Sequence, residues 1–466
     1  MKSKKTRSKS NIFFKAVLIS SISVFLFSCD KMLEVDIPQN QIGAEYVFNN
    51  VQTADAALAN LYGNLRDSSP IAGGSGSGIL WGTYTDDLDC YSPPGENTGI
   101  RDLYLNLQID SNMRVLDFWT SSYKNIYIAN AIIEGVEKSN TLPVKEKSRI
   151  KGEALLIRSL IYFYLMQIYG DIPYAITTDY TVNQSISRTP LPQVCTFLES
   201  DLHTAISLLD DNYRNVERIY PNKKVAQLVL AKVYMTEKKW NEAESILSDI
   251  SGSLLYSFEQ DVAKVFLKSG GHILWQLKPK NANSPTNEIQ ALYFENAAPK
   301  LYALTPDLVN TFSSFDKRLQ NWITPVTVGN NTWYRADKYK NRTTNTTEYS
   351  VVFRFEEVYL LLAETLTQQN KIEQALPYLN ATRIRAGLSK LEAPISRDNL
   401  LIEILLEDRK EFFAEMGHRF IDLKRFGLLN DLKNTKPNWE NKCELWPIPQ
   451  QEIVLNSNLK PQNSGY

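Results

Sequence analysis

Apolar residues recur at helical spacing along most of the chain, and this spacing predicts a mostly α-helical fold. The predicted helices cover residues 53–66, 111–138, 145–169, 190–209, 222–250, 355–386 and 397–425. Residues 145–169 are apolar on nearly every side in the middle of the segment, a pattern that is typical of a buried helix. We therefore expect this helix to lie in the interior.

Two of these segments share a spacing of small and large residues that is typical of tetratricopeptide helix pairs. The first set is Leu230, Ala231, Tyr234, Ala243 and Leu247, and the second is Leu362, Ala363, Leu366, Ala375 and Leu379. Small residues there let two antiparallel helices approach closely, while the large residues fill the gaps. Because the copies begin 132 residues apart, the pattern predicts separate helix pairs within one domain and no tandem array. Chance agreement between helices rich in Ala and Leu is the alternative.

Two long segments lack a helical pattern. Residues 68–108 contain a Gly/Ser-rich run at 73–78, two adjacent prolines and a cluster of acids. Residues 251–350 contain a strand-like piece at 272–277 and many polar residues. Long segments of this kind within a compact protein are usually functional loops, so we expect them to carry the ligand site together with a few short strands.

The N-terminus has the pattern of a bacterial lipoprotein signal. A basic stretch ends at Lys15, and an apolar run of 12 residues (16–27) follows it. That run is shorter than the roughly 20 residues that a membrane-spanning helix needs. The residues at 26–29 resemble a lipobox and predict that residues 1–28 are removed and that Cys29 carries acyl chains such as palmitate, which would tether the protein to a membrane. An ordinary secretory signal or an uncleaved anchor is the alternative.

The charge balance argues against a nucleic-acid partner. The formal net charge is −1, but six basic residues and no acids lie within the first 28 residues. Without that segment, 45 basic residues face 52 acidic ones, which gives a net charge of −7. A chain of this sign has no basic footprint for nucleic acid.

Recognisable catalytic, metal and cofactor motifs are absent from the sequence. The three His residues are not paired at ligand spacing, and there is no Walker A, H-E-x-x-H or G-x-S-x-G motif. Apart from Cys29, the chain has Cys90, Cys195 and Cys443, which allow one disulfide but no C-x-x-C site. The sequence therefore predicts no catalytic residue, no metal and no cofactor.

One irregular segment combines acids with aromatic residues. Its members are Trp81, Tyr84, Asp86, Asp87, Asp89 and Tyr91. Aromatic rings stack on the apolar face of a sugar and carboxylates accept hydrogen bonds from its hydroxyls, so the combination suits carbohydrate binding. Two carboxylates could also serve a glycoside hydrolase, and a solvated loop that its aromatic residues attach to the core is the third interpretation.

Five blocks of the sequence resemble motifs of one family, the SusD/RagB-like outer-membrane lipoproteins of Bacteroidetes, which are named after component D of the starch-utilisation system. The blocks lie at residues 29–38, 152–173, 354–388, 411–425 and 447–466, in the order in which the family has them. Together they span nearly the whole chain after the signal. Considered without the family, the block at 411–425 predicts a helix whose surface pairs Glu415 with Arg419 and Arg419 with Asp422.

The resemblance implies a fold, a function and a partner. It implies one domain over residues 29–466, with an N-terminal part to about residue 250, an irregular insert over about 251–350 and a C-terminal helical part from about 351. The implied fold is a right-handed scaffold of tetratricopeptide-like helix pairs. The implied function is a cell-surface, lipid-anchored receptor without catalysis that captures an oligosaccharide, or alternatively a peptide, for a SusC-like TonB-dependent transporter in the outer membrane. A glycoside hydrolase and a protein-binding adaptor remain as competing hypotheses.

The predicted ligand contacts come from both irregular segments. We expect the site to include Trp81, Tyr84, Asp87, Tyr91, Trp322, Trp333 and Tyr334. Four other tryptophans, at positions 119, 240, 275 and 446, lie in helices, in the strand-like piece or in the C-terminal block, and we expect them to serve the core or scaffold. The last one, Trp439, also falls in an irregular segment, and burial of every tryptophan in such segments would require more packing than loops usually supply.

Overall fold

The computed structural model of the chain describes residues 44–73, 76–93 and 99–466. The predicted signal peptide (residues 1–28) and the predicted lipidation site Cys29 lie outside these described residues. The chain divides into two units, Met1–Val47 and Phe48–Tyr466. The described part of the first unit is helix α1 (Ala44–Val47).

The second unit is built mainly from helices, which confirms the predicted fold class. Its helices are α2 (Val51–Asp67), α3 (Ser77–Tyr84), α4 (Ile100–Tyr104), α5 (Met113–Lys138), α6 (Val144–Tyr169), α7 (Tyr180–Asn183), α8 (Leu191–Leu208), α9 (Lys223–Thr236), α10 (Trp240–Ser251), α11 (Asn287–Leu292), α12 (Pro306–Asn310), α13 (Lys317–Trp322), α14 (Phe355–Gln368), α15 (Ile372–Arg385), α16 (Arg397–Phe412), α17 (His418–Phe426) and α18 (Gln450–Leu455). Short 3-10 helices at Val262–Lys264, Leu429–Asn434, Asn441–Glu444 and Ser457–Leu459 complete the helical structure.

The long helices pack side by side in one row. Helix α5 packs on α6, α6 on α8, α8 on α9 and α9 on α10. The row continues directly from α10 to α14, α15 and α16, although residues 252–354 separate α10 from α14 in the sequence. The two tetratricopeptide-like pairs, α9–α10 and α14–α15, are therefore neighbours in space. The insert, residues 252–354, connects the two pairs without adding a helix to the row. Ala231 and Ala363 are fully buried in these pairs, as the spacing predicts.

Local sequence explains where these helices begin. The side chain of Asn112 accepts hydrogen bonds from the backbone N–H groups of Arg114 and Val115 and so caps α5. Asn222 caps α9 in the same way. Within α6 every residue from Gly152 to Tyr169 is buried, which confirms that this helix lies in the interior.

The short strands form two antiparallel sheets. One sheet has the order β1 (Leu88–Cys90), β3 (Tyr302–Leu304), β5 (Asn331–Ala336) and β4 (Ile323–Val328). The other pairs β2 (Ile273–Leu277) with β6 (Ser350–Arg354), so the predicted strand-like piece is a strand. The first sheet joins the two irregular segments, because β1 belongs to the first segment and the other strands belong to the second.

One sequence prediction about helices was wrong and two were confirmed. Residues 68–108 contain two short helices, α3 and α4, although no helical pattern is visible there. Residues 222–250 and 355–386 each form two packed helices, which confirms the predicted helix pairs. Lys238 and Asn370 adopt left-handed backbone angles (φ 59° and 61°), and these two positions let the chain reverse between the paired helices.

The block at 411–425 is also not one helix. Ala414, Met416 and Gly417 all have positive φ angles, so the chain breaks between α16 and α17. Because Glu415 lies within this break, it cannot pair with Arg419 at helical spacing. Glu415 instead accepts a hydrogen bond from Nε of Arg354 at 3.0 Å. A Cβ atom at Gly417 would lie 2.4 Å from the ring of Trp81, so only glycine fits there.

Two further features concern membranes and thiols. Within the described ranges, the helices lack the combination of length and apolar character that crossing a membrane requires. Cys90, Cys195 and Cys443 are each buried as free thiols. The disulfide that the sequence allowed is therefore not formed among these three residues.

Candidate functional site

The structure places four of the predicted ligand contacts inside the protein. Trp81 and Tyr84 are 0% exposed, and Asp87 and Trp322 are 1% exposed. A buried ring cannot stack on a ligand from solution, so the prediction that these four side chains contact a ligand is wrong. They belong to the scaffold that holds the site.

The ring of Trp81 lies in an aromatic cluster. Its centroid is 5.6 Å from that of Phe118, 5.4 Å from Tyr164 and 5.2 Å from Phe420, which belong to α5, α6 and α17. Aromatic pairs at these distances add to the stability that burial provides. Trp81 therefore joins the first irregular segment to three helices of the scaffold.

Tyr84 and Trp322 are fixed by hydrogen bonds to backbone carbonyls. The hydroxyl of Tyr84 donates to the carbonyl of Cys443 at 2.8 Å. The indole N–H of Trp322 donates to the carbonyl of Val262 at 3.0 Å. These bonds satisfy the polar groups that burial removes from water. Trp439 is buried as well, so the packing around these segments is denser than the sequence suggested.

The acids of the first irregular segment form buried ion pairs. Asp86 accepts hydrogen bonds from Nε and Nη2 of Arg419, each at 2.8 Å, and Asp87 accepts one from Nε of Arg409 at 3.0 Å. Burial raises the pKa of Asp87, and the charge of Arg409 offsets this only in part. At Asp86 the hydrogen bonds and charge of Arg419 outweigh burial, so its pKa is lowered. Both carboxylates therefore bind arginines of the scaffold and do not face a ligand.

Two predicted residues from different segments do come together. Cys90 in β1 pairs with Tyr302 in β3, and Leu304 in β3 pairs with Tyr334 in β5. Tyr91, which directly follows β1, lies on the same face of this sheet as Trp333 in β5. Trp333 is near enough to affect the pKa of Tyr91, and Tyr91 is 37% exposed, whereas Trp333 is half-buried. An exposed tyrosine and a half-buried tryptophan therefore lie on one face of the four-stranded sheet.

The other face of this sheet packs on the main core. Side chains alternate between the two faces of a strand, so Tyr334 points away from Trp333. Tyr334 packs against the main hydrophobic cluster, whereas Trp333 packs against a small separate cluster of Phe294, Ala303 and Val326. The structure therefore separates the two adjacent aromatic residues that the sequence grouped, and Tyr334 belongs to the core side.

Charged groups surround the Tyr91–Trp333 pair. Asp89 accepts a hydrogen bond from the hydroxyl of Tyr104 at 3.0 Å, and burial raises its pKa. Burial also raises the pKa of Tyr91, the Asp89 charge adds to that effect, and the contact with Trp333 opposes it. Burial lowers the pKa of Lys436 to about 8, while Asp89 is the strongest of the charges that oppose the shift.

Sequence reasoning missed a cationic group on the same face. Arg335 follows Trp333 by two positions, so the two side chains share a face of β5. The guanidinium of Arg335 lies 4.5 Å from the ring centroid of Tyr293, and that of Arg342 lies 4.4 Å from the same centroid. Arg335 also donates to the carbonyl of Phe294 at 2.9 Å. Only the alternation of side chains along β5 could have indicated this grouping.

A polar cleft of about 800 Å³ lies on the far side of helix α11, the helix that precedes Tyr293, which contacts Arg335. It is formed by the end of α2, the first half of α5 and the helix α11, which leads directly to Tyr293. Its polar lining includes Arg114, Asp117, Lys124 and Asn287. Side chains of this kind donate and accept several hydrogen bonds in a small volume, as recognition of a hydroxyl-rich ligand requires.

Metal chemistry has no visible basis in the part of the chain that the structure describes. There, no group of three or more His, Cys, Asp or Glu side chains is arranged to hold a metal ion. His418, the one histidine in the most characteristic block, stacks on Phe412 with ring centroids 4.2 Å apart, and burial lowers its pKa well below the usual range. Its surroundings are those of a core residue.

Comparison with protein families gives two matches. A family model described as "Starch-binding associating with outer membrane" matches residues 79–235, and the model of the SusD family matches residues 251–466. The SusD-like protein P25 of Formosa agariphila is 25% identical, and the alignment covers 94% of this chain and 97% of that protein.

Solved structures share the fold. A laminarin-binding SusD-like protein superposes with a TM-score of 0.77 at 21% identity, covering 90% of this chain and 100% of that one. Surface glycan-binding protein A from Bacteroides thetaiotaomicron, solved with laminarihexaose, superposes with a TM-score of 0.74 at 17% identity, covering 89% of this chain and 99% of that one. These likenesses confirm the helical scaffold. The two family models, which match residues 79–235 and 251–466, show that the chain belongs to the SusD/RagB-like family.

Proposed function

We propose that the protein is a cell-surface receptor that binds an oligosaccharide on the sheet face that carries Tyr91 and Trp333. The observation that carries the proposal is an exposed Tyr91 ring near a half-buried Trp333 ring, on a sheet face that the antiparallel strands assemble from two distant segments. Rings in such a position can cover the apolar face of a sugar. The polar cleft at helix α11 offers further hydrogen-bonding groups for hydroxyls.

The relatives support this ligand class. One structure of the same fold is described as laminarin-binding, and another was solved with laminarihexaose. The family model that matches residues 79–235 is described as starch-binding. At identities of 17–21%, these names support a glycan as the class of ligand and do not identify which glycan.

Binding without hydrolysis fits the site better than catalysis does. A glycoside hydrolase needs two carboxyl groups facing the scissile bond. Asp86 and Asp87, the sequence candidates, are buried and bound to arginines. Asp89 is partly buried and has a raised pKa, but the structure places no second free carboxylate with it among the contacts of the described residues.

The proposal extends to membrane anchoring and a transporter partner. The lipobox at Cys29 supports attachment to the outer membrane through acyl chains, with the protein facing the exterior. The resemblance to the family supports delivery of the bound glycan to a SusC-like TonB-dependent transporter. Under this proposal the receptor acts before uptake and leaves the glycan chemically unchanged.

Calorimetric titration with a panel of oligosaccharides tests the proposed function. The panel includes laminarihexaose, maltohexaose, cellohexaose and xylohexaose, and each mixture is also assayed for new reducing ends. We expect saturable binding of at least one glycan with no release of reducing ends. Release of reducing sugar would establish the hydrolase alternative. Binding of a peptide mixture without binding of any glycan would establish the peptide alternative.

A further inference from the structure

A second groove lies on a different side of α5 from the polar cleft. It has a volume of about 450 Å³ and is formed by α5, residues 173–186 and the region around α18. Thr120 borders both cavities, but the other α5 residues that line the groove lie on another stripe of the helix. The volume falls within the range of small-molecule sites.

Aromatic rings dominate the groove. Trp119 and Tyr123 form its floor, with ring centroids 4.8 Å apart. Tyr127 is 53% exposed and Tyr180 is 74% exposed, so both present ring surface to a ligand from solution. Large exposed aromatic side chains that converge on one cavity provide faces of negative electrostatic potential.

One carboxylate lies among these rings. Glu452, in the first turn of α18, lines the groove. Burial raises its pKa, and the nearby indole of Trp119 opposes the shift. Among the described residues that line the groove there is no Lys, Arg or His. The groove therefore has a negative charge that its own side chains do not neutralise.

The amide donors of the groove are already used within the protein. Nδ2 of Asn130 donates to the carbonyl of Ala175 at 3.0 Å, and Nδ2 of Asn456 donates to that of Ile186 at 2.8 Å. Nδ2 of Asn183 also donates to a backbone carbonyl, at 2.7 Å. An oligosaccharide needs many hydrogen-bond partners, and these side chains have few donors left for it.

We propose that this groove is a second binding site, selective for a small organic cation in which an ammonium or guanidinium group is attached to an aromatic or apolar body. The body would stack on Tyr127 and Tyr180, and the cation would lie near the ring faces and pair with Glu452. Cation–π contact and charge pairing both favour a ligand of this kind over a neutral one of the same shape. The site is independent of the proposed glycan face, because none of its residues lies on the four-stranded sheet.

Tryptamine is a suitable probe, and tryptophol, its neutral analogue of the same size, is the matched ligand control. Binding of both to the purified full-length chain is measured by calorimetry. We expect tryptamine to bind more tightly than tryptophol and Glu452→Gln to weaken tryptamine binding by roughly three- to tenfold while leaving tryptophol unchanged. Tyr127→Ala, which leaves the carboxylate in place, should weaken both ligands.

Several results would overturn the proposal. They are equal affinity of wild-type protein for the two probes, an affinity for tryptamine that neither variant changes, and failure of tryptamine to bind. Binding of a neutral hexasaccharide that Tyr127→Ala abolishes would instead assign the groove to sugars. A double variant with Tyr91→Ala and Trp333→Ala should bind tryptamine as wild type does, which keeps this test separate from that of the glycan face.

Discussion

Replacement of Arg409 by Met is expected to lower the free energy of unfolding substantially. The Arg409 guanidinium donates to Asp87 at 3.0 Å, to Asp307 at 2.9 Å and to the backbone carbonyl of Asp86 at 2.8 Å. Asp87 is 1% exposed, so the substitution leaves its carboxylate buried without its main partner. It also detaches α16 from the turn that leads into β1.

The size of the effect follows from this burial. Removal of one partner from a buried ion pair typically costs about 3–5 kcal/mol, because the remaining charge is uncompensated. Asp307 is exposed and can regain water, so its lost bond adds little. A second substitution, Asp87→Asn, removes the stranded charge. We therefore expect the double variant to recover part of the stability that Arg409→Met loses.

Equilibrium unfolding in urea measures these differences. The matched control is Arg397→Met, which breaks the exposed pair of Arg397 and Asp398 and should cost about 1 kcal/mol or less. A loss for Arg409→Met that is no larger than the control would refute the reasoning. A variant Asp87→Asn that weakens glycan binding without loss of stability would restore the sequence-based role of Asp87 as a ligand contact.

Three further predictions concern the anchor, the scaffold and pH. Cys29→Ala should move the protein out of the membrane fraction, and unchanged fractionation would contradict lipidation. Ala231→Leu and Ala363→Leu should each overpack a helix pair and cost roughly 1–3 kcal/mol, and unchanged thermal unfolding would argue against such pairs. Burial lowers the pKa of Lys436 to about 8 in the folded protein. Between about pH 8 and the ordinary lysine pKa of about 10.4, this side chain is protonated in the unfolded chain but not in the folded protein. The free energy of unfolding therefore rises with pH in this window. Lys436→Met should reduce the slope of the unfolding free energy against pH by the equivalent of about one proton, as measured by urea unfolding between pH 8 and pH 10.

The helical scaffold was predictable because it depends on local spacing. The helical spacing of apolar positions predicted α5, α6 and α8 to within two residues at each end. Small residues at Ala231 and Ala363 correctly indicated close helix contacts. Periodicity could not show that the two helix pairs are adjacent, because residues 252–354 separate them in the sequence.

The site was less predictable because it depends on partners far away in the sequence. Helix α3 is buried on nearly all sides, so it has no amphipathic pattern, and Trp81 was assigned to a loop. The arginines that bind Asp86 and Asp87 lie more than 300 positions later, and no local signal connects them. Tyr91 and Trp333 were both predicted, but their place on one sheet face depends on strand pairing that the sequence alone does not define.

Titration of the glycan that the panel identifies, against Tyr91→Ala and Trp333→Ala, tests the central claim most directly. The control is Phe315→Ala, which removes an exposed ring outside the four-stranded sheet. Each ring should contribute about 0.5–1.5 kcal/mol beyond its buried area, so each loss should weaken binding several-fold or more. The control should bind as wild type does, and circular dichroism should show all three variants folded. Wild-type affinity in both Tyr91→Ala and Trp333→Ala would contradict the account and place the glycan site elsewhere on the protein.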